Sequence, residues 1–219
     1  IIIALCLIPY PFFRLAAEQP HISYILADDR GYGDVAANNP NCKFPTPFLD
    51  RLAEEGMRFS DAHTNSSVCT PTRYGILTGR YSWRTRLKGG VLDGAAGPLI
   101  ASDRTTVATF LKKQGYNTAC VGKWHLGMSW PTKDGKEPLR SRGDNIDFTQ
   151  PIENGPNDVG FDYYYGISAS LNMPPHAYLE NRMIDADDLV FAKDSKDIKA
   201  LGLVCLLYTS PSPRDRVRS

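Results

Sequence analysis

Segments with strand character alternate along this chain with segments of helical period, and that alternation constrains the fold more than any other feature. His21 to Ala27 (HISYILA) reads as a strand buried on both faces, ending abruptly at Asp28, Asp29, Arg30 and Gly31. Thr46 and Pro47 precede FLDRLAEE and Gly56 follows it. An N-cap, a first-turn proline and a glycine stop predict a helix over 47–55. Met57 to Ala62 can return as a strand. Thr105 or Thr106 caps VATFLKKQ, whose Val107, Phe110 and Leu111 share one face, and Gly115 stops it. Tyr116 to Val121 follows as a strand. The expected class is α/β, a mostly parallel sheet covered by helices, with ligands gathered outside the carboxyl ends of the strands. From about Met128 to Asp158 no period is sustained, and the expectation there is a long surface excursion.

Composition narrows the class further. With 42% hydrophobic and 22% charged residues, the 219-residue chain has the make-up of a folded domain, which excludes disorder, collagen and coiled coil. A formal charge of +1 gives no global field to recruit nucleic acid or an anionic membrane. Residues 1–17 open with the apolar run IIIALCLIPYPFF and reach Ala16 and Ala17, small enough for a cleavage site. They read as an export leader with a truncated start, and no stable membrane anchor is expected elsewhere. Residues 18–201 are expected to form the domain proper. Residues 202–219 turn abruptly to a Ser, Pro and Arg-rich tail that reads as extraneous sequence. Cys6 and Cys205 fall in these two ends, leaving Cys42, Cys69 and Cys120 without CxxC spacing. A zinc site or a dense disulfide framework is therefore not expected.

The most informative stretch is Ser67 to Arg80, SVCTPTRYGILTGR. Pro71 suits the first turn of a helix ended by Gly79, which sets Cys69 just before a helix N-terminus, where unpaired amides favour negative charge. Arg73, on the first turn, can aim its cationic fork at the same place. Each feature alone has an ordinary reading: a buried cysteine, a surface arginine, an Asx turn at Asp28 and Asp29. Likewise Lys123 alone reads as a solvated charge and His125 alone as a packing residue.

Together these residues resemble the sulfatase family. Cys69, Pro71, Thr72 and Arg73 with Thr78, Gly79 and Arg80 match its first signature, Gly115 to His125 (GYNTACVGKWH) its second, and Ile25 to Asp34 (ILADDRGYGD) its first metal-binding segment. The resemblance covers most of residues 21 to 180. It implies the N-terminal part of an alkaline-phosphatase-like three-layer α/β sandwich, and an enzyme that hydrolyses organic sulfate esters.

The resemblance also implies the chemistry. Cys69 would be oxidised to formylglycine by a formylglycine-generating enzyme during export to a secreted or periplasmic location. The hydrated aldehyde offers one hydroxyl to attack sulfur and a second whose deprotonation expels sulfate, which a serine could not do, and two easier steps replace one difficult displacement. Asp28, Asp29 and the modified Cys69 would bind calcium, or alternatively magnesium, as hard carboxylate donors suit. Arg73 would stabilise the diol, Lys123 would hold diol and sulfate, and His125 would orient the nucleophile or assist its proton movements. Lys123 and His125, two apart, would face the same side of an extended segment. Ser170, in the Gly160 to Ser170 segment, and His176 would face the substrate. That substrate would be a sulfated small molecule or a glycan, for which the Tyr163 to Tyr165 cluster offers stacking faces. Asn65, Ser66 and Ser67 match a glycosylation sequon that is read as chance. Two alternatives stand beside this reading: a formylglycine-dependent phosphonate or phosphate monoester hydrolase, and a fold without turnover.

Overall fold

The computed structural model describes residues 19–28, 30–139 and 143–185. The segment expected to be a leader, Asp29 and the expected extraneous tail lie outside the described residues. Helix α1 spans Pro47–Glu55, α2 spans Cys69–Thr78 and α3 spans Val107–Lys113. Strands β1 (Ala119–Lys123), β2 (Tyr163–Ile167), β3 (Tyr178–Glu180) and β4 (Met183–Ile184) form one sheet in the order β1-β2-β3-β4. The β1–β2 pairing is parallel, with Ala119 opposite Tyr163 and Lys123 opposite Ile167. The β2–β3 and β3–β4 pairings are antiparallel, so the sheet is mixed.

The helix ends follow from local chemistry. Thr106 caps α3: its Oγ1 accepts from the Thr109 amide at 3.1 Å. The Thr46 hydroxyl ahead of α1 serves differently, donating to Asp50 at 2.9 Å and accepting from the Ala36 amide at 2.8 Å. Gly79 ends α2 in the left-handed region, φ 63°, where a glycine meets no Cβ penalty. Cys69 is the first residue of α2, with Val68 as its N-cap, so the helix begins two residues before Pro71.

Three expectations fail. Residues 21–27 form no strand; Ile22, Tyr24 and Ile25 are 58, 70 and 90% exposed. Met57 to Ala62 is likewise neither strand nor buried. An apolar run states a preference for a covered, paired position, and among the described residues nothing pairs with either segment. The 128–158 stretch is no surface excursion. Met128, Trp130, Ile146 and Ile152 belong to the core, and bridges at Ser129–Glu153 and Thr132–Ile146 fold the loop on itself. Its apolar residues are too widely spaced to register as a period, yet they bury.

The core lies between α2, this loop and the sheet. Tyr74 of α2, Trp124 just beyond β1 and Tyr164 of β2 are each at most 2% exposed. The Trp124 ring meets Phe161 edge-on at 6.3 Å and Tyr164 at 6.4 Å. Such packing fixes the backbone on either side of Trp124, where Lys123 and His125 stand.

Candidate active site

Helix α2 and the carboxyl end of β1 meet at one point. Arg73, one turn from Cys69 and on the same helix face, donates through Nη1 to the Lys123 carbonyl at 2.5 Å. Its Nη2 lies 3.2 Å from Asp28 Oδ2. The Lys123 ammonium reaches that same oxygen at 2.5 Å. Their side chains are 13 and 16% exposed, and that of Asp28 is 33% exposed, so the two cations are shielded from water more than the carboxylate they meet. Burial pushes the Asp28 carboxyl up, but the Lys123 and Arg73 cations outweigh it and hold the carboxyl below its usual range. Both cations take Oδ2, which leaves Oδ1 without a hydrogen bond among the described residues.

His125 is fully buried. Its amide donates to the Ser168 carbonyl at 2.8 Å, and its ring Nε2 lies 2.7 Å from the Leu92 carbonyl. Burial drives the imidazole down to about 4, with the Leu92 contact opposing and the Lys123 and Arg73 charges assisting, so the ring is neutral at physiological pH. Its backbone φ is 59°, in the left-handed region, and the extended alternation of β1 therefore stops before it. Lys123 and His125 thus reach the site by different routes, one along the strand and one through a turn.

Among the described residues, three buried polar atoms here have no partner: Arg73 Nε, His125 Nδ1 and the Ser168 hydroxyl. Unpaired buried groups are costly in a folded interior and mark places where a ligand or water belongs. One is a donor, one an acceptor and one can be either, a set suited to hydroxyl and oxyanion groups. Cys69 itself is a half-buried free thiol at the helix start. The carboxylate oxygens suit a hard divalent cation, though Asp28 is the one aspartate described here, because Asp29 lies outside the described residues.

Ser170 and His176 are half-buried beyond the end of β2. Neither side chain hydrogen-bonds to the Asp28 cluster among the described residues; burial lowers the His176 imidazole. The tyrosines divide by face. Tyr164 is in the core with its hydroxyl donating to the Ile167 carbonyl at 2.9 Å, while Tyr165 stacks on Tyr178 at 5.6 Å. Tyr163 sits at the amino end of β2, opposite Ala119, four residues from the level of Lys123, which is about 13 Å. The Asn65 amide donates to the Pro71 carbonyl at 2.7 Å and lies against Gly75, where a Cβ would approach it to 2.1 Å. That nitrogen braces α2, which agrees with reading the sequon as chance.

Sequence reasoning missed Thr70, Leu92 and Ser168. Thr70 is fully buried and accepts from the Leu92 amide at 3.2 Å. No spacing or periodicity marks a contact of this kind, which only the folded chain brings together.

Fold and site define an α/β protein whose chemistry gathers around the start of one helix and the end of one strand. Residues 20–200 match the family model described as Sulfatase, and the chain belongs to the sulfatase family. It is 38% identical over 165 residues to N-acetylgalactosamine-6-O-sulfatase of Bacteroides thetaiotaomicron, covering 75% of this chain and 30% of that protein. Mouse arylsulfatase G is 40% identical over 160 residues, 73% of this chain and 26% of that protein. Human steryl-sulfatase is 38% identical over 158 residues, 70% and 24% respectively. A solved Bacteroides thetaiotaomicron structure, described in terms of the metabolism of multiple glycosaminoglycans, superposes with a TM-score of 0.65 at 37% identity. It covers 75% of this chain and 32% of that one, and the fold is accordingly alkaline-phosphatase-like. The chain spans under a third of the length of each of these relatives.

Proposed function

We propose that the full-length protein hydrolyses an organic sulfate ester, an aryl or carbohydrate sulfate, to an alcohol and inorganic sulfate, after Cys69 is converted to formylglycine during export. The observation that carries this reading is the convergence of Arg73 and Lys123 on Asp28, on the helix face of Cys69. Sulfate transfer builds negative charge on the bridging oxygen as its bond breaks, and cations already fixed in place stabilise that charge without reorganising. Residues 18–201 would be the N-terminal part of the catalytic domain, exported to a secreted or periplasmic location.

Each residue has a task set by its surroundings. When oxidised, Cys69 supplies a hydrated aldehyde, with one hydroxyl for attack on sulfur and another for release of sulfate. Asp28, Asp29 and that side chain would hold calcium or magnesium, which supplies Lewis-acid charge toward a sulfate oxygen. Arg73 keeps Nε available as a donor while its other nitrogens are occupied by Asp28 and the strand end. Lys123 neutralises the ester's anionic oxygens. His125, with Nδ1 unpaired among the described residues, can accept a hydrogen bond from a neighbouring hydroxyl and so orient it. Ser170 and His176 would face the remainder of the ester. A formylglycine-generating enzyme is the implied partner in maturation.

The test compares rates on 4-nitrophenyl sulfate and on a phenylphosphonate ester, using full-length protein from a host that matures such cysteines. A kcat/KM favouring the sulfate by at least roughly tenfold, a difference of about 1.4 kcal/mol in transition-state binding, is expected. Preference for the phosphonate, or turnover of neither, contradicts the reading.

A further inference from the structure

The way His125 is held points beyond His125 itself. Its residue occupies the left-handed region at φ 59°, uncommon outside glycine and sustained only where surroundings dictate it. A backbone carbonyl can only accept, so the 2.7 Å contact with Leu92 means that Nε2 carries the hydrogen. In a neutral ring Nδ1 is then the lone-pair atom, and it is the buried atom left without a partner among the described residues. Leu92 is in turn held from the other side, its amide donating to Thr70 Oγ1 at 3.2 Å. Thr70 is fully buried and immediately follows Cys69 in α2. It does not cap its helix; Val68 holds that position, and the Thr70 hydroxyl reaches 22 residues along the chain instead.

A continuous line of contacts therefore runs from the start of α2 through Leu92 to the imidazole. Arg73 ties the same helix to the same strand end through the Lys123 carbonyl. We propose that Thr70 is a positioning residue for the reaction: its hydroxyl fixes Leu92, whose carbonyl fixes the His125 ring and so leaves Nδ1 as the acceptor free to meet the group formed at Cys69. The proposal rests on the sulfatase mechanism given above. Loss of the hydroxyl would leave the Leu92 amide unpaired in the interior and release the carbonyl that sets the ring.

The test uses full-length protein and the variants Thr70→Val, which keeps shape but removes the hydroxyl, and Thr70→Ser, which keeps the hydroxyl. On 4-nitrophenyl sulfate, Thr70→Val is expected to lower kcat at least roughly tenfold with KM changed by less than about threefold, as for a misplaced catalytic group. Thr70→Ser is expected to stay within about threefold of the parent in both. Histidine nitrogen NMR should find the Nε2–H tautomer at His125 in the parent and in Thr70→Ser, and a mixture in Thr70→Val. An Nδ1–H tautomer in the parent overturns the proposal, even if Thr70→Val fails to fold. Equal losses in both variants, or none in Thr70→Val, also overturn it. Should sulfate hydrolysis itself be absent, the tautomer measurement still judges the relay, because it does not depend on what Cys69 becomes.

Discussion

At Asp28 two cations share one carboxylate oxygen, and two residues beyond one of them, Lys123, a buried imidazole is kept neutral; both arrangements tie stability to pH. The His125 imidazole falls from 6.5 in an unfolded chain to about 4 in the fold, so acid favours the unfolded state. Its contribution is complete above about pH 6.5 and is lost progressively as pH falls toward 4. The Asp28 carboxyl is lowered, so its contribution persists to lower pH and is lost only below the ordinary carboxylate range. Unfolding by urea should therefore show roughly 2–3 kcal/mol less stability at pH 4.5 than at pH 7. In His125→Gln that difference should shrink to a minor part; an unchanged difference would mean that the ring is not buried neutral. The identities of these residues were legible in the sequence through their signature segments. Their states were not, because the burial of His125 depends on Leu92 and Ser168, both distant along the chain.

The three helices were more legible than the strands, for a physical reason. A helix is defined by signals within a dozen residues, and Thr46, Pro47 and Gly56 mark the ends of α1 just as Thr106 marks the start of α3. A strand is defined by what lies beside it, which local sequence does not record. Thus the expected strand at 116–121 is found as Ala119–Lys123, paired with β2, whereas the equally apolar 21–27 pairs with nothing described. The β1–β2 pairing has a further requirement at Gly166, where a Cβ would stand 1.8 Å from the Gly122 carbonyl oxygen. Gly166→Ala should push the strands apart next to Lys123. The expected loss is at least about 2–3 kcal/mol of stability, the scale of overpacking a tight interior. Gly79→Ala, with open space but a positive φ, should cost only about 1 kcal/mol and leave the site in place. Thermal melts of both variants check the pair, and equal melting temperatures would contradict the close approach described here.

At the scale of the whole chain, the apolar surface is unevenly covered. Phe48 and Leu52 of α1 are 80 and 65% exposed, and Met57 and Phe59 beyond it 78 and 70%. Several large apolar side chains exposed within twelve residues of sequence are sites for apolar association. The 219-residue chain on its own should bind a hydrophobic dye such as ANS, hold calcium weakly, and turn over 4-nitrophenyl sulfate at least roughly a hundredfold more slowly than full-length protein. Robust turnover by the isolated chain would show that it carries a complete site. The central claim concerns Cys69, and mass spectrometry of the tryptic peptide Phe59 to Arg73 from matured full-length protein tests it most directly. Formylglycine at Cys69, with activity lost in Cys69→Ala, is the predicted result; an unmodified thiol in fully active enzyme would contradict the account.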